Sequence, residues 1–351
     1  MTSVAASPKS IALFRLSALG DVLMYLPTVR AFQRAFPQCQ LTWIISQPAY
    51  DLVKHIQGIE FILIDKPRSW KDYWKLYKQF KKQHFDVLIA SQASFRAHLL
   101  YPLIRAKRKI GYDKIRGQEG HSWFVNEQIP FREVHTLEGF MQFAEHLGVR
   151  DTSVEWNISL DPVALAWVEA QLQNGTSPKS PLVVLNPAAS KPERSWTAER
   201  YIQVIQYLQQ QYQARVILCG GPSAFDRQLA DAIQEKVTIE DWVGKTRIPQ
   251  LLSLISKAQL VICPDTGPSH MAAALGVPVI ALHGVTKPEI SGPFGQLEHT
   301  VNVYPEARAQ WMNKKREQNA NQWFLKVHHP EVMNLIQVDA VCQKIDNIFQ
   351  A

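Results

Sequence analysis

Two α/β halves, each built on a parallel sheet, are what this sequence predicts, and three observations carry the prediction. A chain of 351 residues with 46% hydrophobic and 20% charged content is longer than one core usually organises. Short β-branched runs alternate with amphipathic helical stretches, the order in which strand–helix–strand units are laid down. The alternation stops at a polar, turn-rich stretch, "QNGTSPKSP" (173–181), and begins afresh after it. A domain over 1–165 and a second over 166–351 follow, and two domains imply a cleft.

In the first half the strands are "IALF" (11–14), "LTWII" (41–45), "FILI" (61–64) and "DVLIA" (86–90), with helical spacing in "TVRAFQRAF" (28–36) and "YWKLYKQFKK" (73–82). In the second half they are "LVVLN" (182–186), "ARVILCGG" (214–221), "LVICPD" (260–265) and "VPVIALHG" (277–284). A last helix is expected over about 338–349. No apolar run reaches the eighteen or so residues a membrane-spanning helix needs, and "MTSVAASPKS" lacks the layout of a signal peptide. A cytoplasmic protein is expected. Four scattered cysteines (Cys39, Cys219, Cys263, Cys342) form no close pair for zinc or redox work and read as reduced, mostly buried thiols. The net charge of +7 favours an anionic partner: nucleic acid, a phosphorylated lipid surface or a nucleotide.

In open parallel sheets, ligands sit beyond the carboxyl ends of the strands. "CPDTGPSHMAAALGVPVIALHG" (263–284) ends a strand, turns through "TGPS", and runs into an alanine-rich helix closed by Gly276. Asp265, Thr266, Gly267, Ser269 and His270 therefore lie at a strand end and a helix N-terminus, where free N–H groups and the helix dipole attract an anion. The structural alternative makes Asp265 or Thr266 a helix cap and His270 an interior histidine. "LVVLNPAASKPERSWTAERYIQVIQYL" repeats the arrangement. Ala188, Ala189 and Ser190 let a ligand approach the backbone, Lys191 and Arg194 are placed for a diphosphate, and Thr197 is expected to cap the next helix. In "IALFRLSALGDVLMYLP" Gly20 frees the turn and Asp21 opens a helix, either as its N-cap or as a general base for a substrate hydroxyl.

These residues carry a resemblance. "RLSALGDVLMYLPTVRAFQRAFPQCQLTWII" resembles the opening of the ADP-heptose:lipopolysaccharide heptosyltransferases of glycosyltransferase family 9, and "DTGPSHMAAALGVPVIALHGVTKPEISGPFG" resembles their nucleotide-binding signature. "KIGYDKIRGQEGHSWFVNEQI", "HTLEGFMQFAEHLGV" and "NPAASKPERSWTAERYIQVI" match between them in order, so the resemblance covers nearly the whole chain. It implies a GT-B fold of two facing Rossmann-like domains, acceptor on the first, nucleotide sugar on the second, and the last helix packing back on the first domain. It implies transfer of heptose from ADP-heptose to the inner core of lipopolysaccharide with inversion, at the cytoplasmic face of the inner membrane, with no nucleic-acid partner. By position, Asp21 matches the base, Asp265, Thr266, Gly267 and His270 match the donor set, and Arg194 stands where many members have lysine beside the diphosphate. Ser190 takes a hydroxyl position in the same loop.

A diphosphate leaving group needs charge stabilisation rather than a proton, which Arg194, Lys191 and helix-terminal N–H groups can supply. No D-x-D triplet occurs, so no obligatory metal or other cofactor is expected. On the acceptor side, Ser17 and Gly20 belong to the first loop, and Arg96, Lys114 and Arg116 are loop cations suited to lipid A and core phosphates. "RSWKDYWKLYKQFKKQHF" sets Trp70, Tyr73, Trp74, Tyr77 and Phe80 among lysines, a pattern of either core or an anionic-bilayer contact. Two departures from the family stand out: Ala224 where an acid for the donor ribose is expected, with Asp226 the nearest candidate, and a long basic stretch over 306–329. Alternatives are a family member with another nucleotide sugar or acceptor, or a non-catalytic nucleotide-sugar binder. A nicotinamide oxidoreductase is disfavoured because "RLSALGD" lacks G-x-G-x-x-G.

Overall fold

The computed structural model describes residues 7–65, 67–173, 180–312 and 322–350. The chain divides into two units, Met1–Ser159 and Leu160–Ala351. Each is built on a sheet that, among the described residues, has six strands, all paired in parallel.

In the first unit the elements run β1 (Ser10–Phe14), α1 (Leu19–Ala35), β2 (Gln40–Ile45), α2 (Gln47–Val53), β3 (Ile59–Leu63), α3 (Trp70–Phe80), β4 (His84–Ala90), α4 (Phe95–His98), β5 (Arg105–Gly111), β6 (Glu127–Gln128) and α5 (Thr136–His146). The strand order is β3-β2-β1-β4-β5-β6, which puts β1 and the loop after it in the middle. Because a parallel sheet is covered on both faces, its central strands read as unbroken apolar runs. One face, with Ala12, Phe14, Ile44, Ile62 and Leu88, packs on Leu76 and Phe80 of α3, on Ala97 of α4 and on Tyr101. The other packs on α1, where Tyr25 makes edge contacts with Trp43 of β2 and Phe140 of α5.

The structure corrects the reading of two elements. Helix α1 starts at Leu19 and runs through Pro27, so Asp21 stands in its first turn and Ala18 occupies the N-cap. Strand β5, "RAKRKIG", escaped the sequence reading because its polar residues face solvent. Lys107 pairs with Asp86 at 2.8 Å, and Arg108 clamps Glu127 with two bonds of 2.7 Å.

A buried histidine pair closes the end of β5. The Tyr112 N–H donates to Nε2 of His121 at 3.0 Å, so the His121 ring proton sits on Nδ1, 3.0 Å from Nε2 of His98. Both imidazoles are fully buried, and a Cβ on Gly111 would overlap His121 Nε2, so glycine is required there. Burial, reinforced by His98, pushes the His121 pKa down to about 4, and burial lowers that of His98. An unfolded histidine titrates near 6.5. Between these values the unfolded chain binds the extra proton, so the stability from the neutral pair is complete above about pH 6.5 and is lost as pH falls towards about 4. Unfolding free energies from urea titration should therefore fall with acidification by up to about 1.4 kcal/mol per pH unit for each histidine. His121→Gln should flatten that slope relative to wild type; parallel pH profiles for the two proteins would contradict it.

The second unit runs α6 (Pro162–Gln173), β7 (Leu182–Leu185), α7 (Ala198–Tyr212), β8 (Arg215–Leu218), α8 (Ala224–Gln234), β9 (Glu240–Asp241), α9 (Ile248–Lys257), β10 (Leu260–Pro264), α10 (Gly267–Leu275), β11 (Val279–His283), α11 (Pro288–Ser291), β12 (Val301–Asn302), α12 (Tyr304–Trp311) and α13 (Val338–Phe349). Its strand order is β12-β11-β10-β7-β8-β9. Val183, Leu218, Ile262 and Ile280 meet Tyr201 and Leu208 of α7, Ile233 of α8, and Val341 and Ile345 of α13. The final helix is fastened to α7 by Tyr207 and Tyr212, whose hydroxyls both donate to Asp346, at 2.5 and 2.6 Å. Cys219 and Cys263 are buried, Cys39 and Cys342 half-buried, and all four are free thiols.

Of the basic stretch over 306–329, residues 313–321 lie outside the described residues. On either side of them the chain is docked: the Tyr304 hydroxyl donates to Leu325 O at 2.9 Å and the Val327 N–H to Val285 O at 3.0 Å. Val285, Tyr304, Ala307, Val327 and Val332 form a small apolar cluster there.

Candidate active site

In the second unit, β11, β10 and β7 are neighbours, so the loops leaving their carboxyl ends lie side by side. Asp265 follows β10 and Arg194 sits on the short turn Pro192–Arg194 after β7. Arg194 Nη2 donates to the Asp265 backbone oxygen at 2.5 Å and to its carboxylate at 2.7 Å. The third loop supplies Thr286, whose hydroxyl donates to the same carboxylate oxygen at 2.6 Å and stands 3.3 Å from Nδ1 of the buried His283. Burial works against charge on Asp265, but His283, Arg194 and His270, with the Thr286 hydroxyl, outweigh it and hold the carboxyl below its usual range. Burial in turn lowers the pKa of His283, against the pull of Asp265.

The helix that follows differs in detail from the sequence reading. "GPS" forms the first turn of α10 rather than a preceding loop, and the chain ends the helix at Gly276 with φ of 69°. Thr266 holds the N-cap position, yet its hydroxyl donates to Pro264 O at 3.1 Å and caps nothing. Ser269 is buried and donates to Thr266 O at 2.7 Å. The Gly267 N–H thus receives no side-chain cap and stays open to an anion, while Pro268 has no N–H and the Ser269 N–H is turned onto Thr266 O at 3.1 Å. His270 is buried close enough to Asp265 to act on its charge. Ser190 and Lys191 are exposed on the neighbouring loop. Asp226 is turned back into its own loop, accepting from the Gly221 N–H at 2.9 Å and from the Ser223 hydroxyl.

In the first unit the loop after β1 is organised by Arg15. This buried guanidinium donates to Ser91 O at 2.5 Å and to the Asp21 carboxylate, and it stacks over Phe140 with 5.0 Å to the ring centroid. Asp21 also accepts from the Ala18 N–H at 3.3 Å, which ties the carboxylate to the N-cap backbone, and its side chain keeps 32% exposure. Gly20 is buried in the same turn. Ser17 lines two adjoining hollows. One, of about 890 Å³, runs between the ends of β2 and β3 and the flank of α3 with Asp72, Lys75 and Gln79. The other, of about 480 Å³, holds Gln92, Arg96 and Glu119. Lys114 is exposed on the turn after β5.

Arg116, expected to meet acceptor phosphates, is spent on structure. It donates to Asp113 at 2.5 Å, Gln142 at 2.7 Å and Pro130 O at 2.8 Å, and its side chain is 10% exposed. Three residues of these clusters escaped the sequence reading: Arg15, His283 and Thr286. A charged residue directly after an apolar strand was the available signal for Arg15, and the "HG" ending β11 for His283. Thr286 left none.

Asp265 is the joint of the second cluster, so Asp265→Asn, which strips charge from a buried guanidinium partner, should cost on the order of 1–3 kcal/mol in urea unfolding. Thr286→Val, removing one neutral donor, should cost about 1 kcal/mol. Equal unfolding curves for both variants and wild type would mean that the cluster is not closed in solution.

Comparison with known proteins extends this geometry. The family model described as glycosyltransferase family 9 (heptosyltransferase) matches residues 73–322. A lipopolysaccharide core heptosyltransferase, OpsX, from Haemophilus influenzae is 35% identical over 95% of this chain and 95% of its own. Among solved structures, a family 9 glycosyltransferase from Veillonella parvula superposes with a TM-score of 0.80 at 21% identity, covering 97% of each chain. The E. coli heptosyltransferase WaaC with ADP superposes with a TM-score of 0.72 at 20% identity, covering 97% of this chain and 99% of that one. The fold is that of the GT-B heptosyltransferases.

Proposed function

Since the chain belongs to glycosyltransferase family 9 (heptosyltransferase), we propose that it moves heptose from ADP-heptose to the inner core of lipopolysaccharide with inversion at the anomeric carbon. The observation that carries this reading is the uncapped N-terminus of α10 beside Arg194, which sets a cation next to the Gly267 N–H and the positive end of a helix dipole at one set of strand ends. That is the equipment a departing diphosphate requires.

Each residue then has a task. The Gly267 N–H at the start of α10 and the free edge of the Arg194 guanidinium hold the diphosphate, with Ser190 and Lys191 exposed beside them. Asp265 acts from behind: its carboxylate is taken up by Arg194 and Thr286, so it sets the guanidinium rather than meeting the nucleotide. Thr266, Ser269 and His270 shape the terminus. Asp21, oriented by Arg15 and still part exposed, takes the proton of the acceptor hydroxyl as the sugar carbon gains oxocarbenium character. Ser17, Gly20, Arg96 and Lys114 belong to the acceptor side, which is completed by contact with the cytoplasmic face of the inner membrane.

One observation favours a second reading, a different nucleotide: Asp226 is engaged within its own loop, and Ala224 stands where a ribose-binding acid is expected. Calorimetric titration of ADP, UDP and GDP separates the two, and ADP should bind at least tenfold more tightly than the others.

Replacing Arg194 by Ala should lower transfer by about 2–4 kcal/mol of transition-state stabilisation, the range for losing one preorganised donor to a developing anion. Acceptor affinity should stay unchanged. Lys191→Ala should cost less, and equal small losses in both variants would place the diphosphate elsewhere.

Asp21→Asn separates base from cap. Asparagine can still accept from the Ala18 N–H, but it cannot take the proton and it leaves Arg15 without its counter-charge. Turnover should fall roughly a hundredfold or more, with ADP affinity unaltered and thermal stability lowered. A variant with near wild-type turnover would remove Asp21 from the mechanism.

A further inference from the structure

The large apolar side chains that remain exposed are concentrated in the first unit, on the helical layer covering one face of its sheet. Trp70 is 74% exposed, Trp74 53% and Trp123 86%, with Tyr77, Phe95 and Leu99 also in water. Leu76 and Phe80 bury the inner side of α3, and Ala97 and Leu100 bury that of the α4 segment, in the same cluster. Trp123 precedes Phe124, which packs against that cluster and stacks on His98. Core packing therefore does not account for the outer aromatics. Soluble surfaces seldom expose such a group of rings without a use for it.

Helical spacing sorts α3 and its C-terminal continuation into stripes. Trp70, Trp74 and Tyr77 recur at i, i+4 and i+7, and Trp74 stacks on Tyr77 at 5.4 Å between centroids. Lys71, Lys75, Lys78 and Lys82 follow one position later and form a second stripe alongside. Lys78 lies over Trp74 at 5.6 Å and Lys71 over Trp70 at 6.0 Å, so charge and ring are presented together. From Arg68 to Lys82 the chain carries six cations and one carboxylate, against +7 for the whole protein. That carboxylate, Asp72, is occupied by the Arg68 and Ser69 N–H groups. A protein partner could cover the rings. The dense, nearly unopposed lysine stripe beside them matches instead a continuous anionic surface with an apolar interior, into whose boundary tryptophan and tyrosine settle.

We propose that α3, with the exposed rings of the α4 layer, is a docking face for an anionic phospholipid bilayer. The flank next to the lysine stripe, with Asp72, Gln79 and the shared Lys75, lines the 890 Å³ groove that ends at Ser17. Docking by the aromatic and lysine stripes therefore brings that groove to the lipid surface, where a lipid-linked acceptor enters it. The inference deepens the membrane contact proposed above and rests on an acceptor carried by lipid, but the two can fail separately.

The test is sedimentation of the full chain with vesicles of phosphatidylethanolamine and phosphatidylglycerol, and with vesicles of phosphatidylcholine. Wild type should partition onto the anionic vesicles at low salt, at least tenfold more than onto phosphatidylcholine, and should be released as salt screens the lysines. Trp70→Ser with Trp74→Ser should lower partition at least tenfold. Lys71→Gln with Lys78→Gln and Lys82→Gln should abolish the preference for anionic lipid. Transfer to a deacylated, soluble core acceptor should be unchanged in both variants, so that loss of vesicle binding is read apart from loss of the reaction. Wild type that stays in the supernatant at low salt, or tryptophan variants that partition like wild type, would overturn the proposal. So would a concentration-dependent dimer that the tryptophan substitutions dissolve, since the face would then belong to a second copy of the chain.

Discussion

The constraint on which this molecule depends is that a parallel sheet has no wet face. Helices cover both sides, the strands between them are apolar throughout, and a polar group can be exposed at little cost only where a strand ends. The β1 strand obeys this, with Ile11 to Phe14 fully buried before the charge of Arg15. So does β10, whose buried residues run up to Asp265. Function in this fold is therefore placed by topology before it is placed by side chains. The order β11-β10-β7 makes neighbours of Thr286, Asp265 and Arg194, though Arg194 and Asp265 stand 71 residues apart in the chain.

Each unit places a guanidinium–carboxylate pair at such an end, and the two pairs are built for opposite purposes. In the first the arginine is buried and the aspartate keeps 32% exposure; in the second the arginine keeps 24% and the aspartate 11%. The member left accessible is the one that can meet a ligand, and the buried member fixes its direction. An exposed carboxylate aimed by a buried cation suits proton transfer. An exposed guanidinium aimed by a buried anion suits a diphosphate.

What the sequence disclosed follows the same division. Strand positions, the Gly276 stop and the Asp265 loop were legible because they depend on local periodicity and turn chemistry, which a window of ten residues contains. Asp21 was legible as a polar group at a helix start, but its place in the turn was misjudged. The helix begins at Leu19, and nothing in "RLSALGD" records that Ala18 serves as the cap. The partners of Arg116 were illegible for a deeper reason. A cation in a polar loop is a solvated side chain unless distant residues capture it, and Gln142 and Pro130 become its neighbours only through the packing of α5. The missed strand β5 is the same failure in reverse, since its lysines and arginines spoke for a loop while its partners Asp86 and Glu127 lay elsewhere in the chain.

The stretch after 306, which read as a departure from the family, is tied to the loops of Arg194 and Thr286 by its described ends. Val327 bonds to Val285, one residue before Thr286, and Lys287, one residue after it, lies over Trp323 at 4.9 Å. His328 meets Glu193, the neighbour of Arg194, at 2.6 Å, and Arg200 of α7 donates to Ile336 O. Both loops that set Asp265 and Arg194 are thus gripped from behind by the same late segment before α13 closes the unit. A loop with a glycine-rich, small-residue approach gains ligand access at the expense of its own contacts, and something else must supply its rigidity. Here the late segment does so, which gives it a structural part in holding the loops of Arg194 and Thr286.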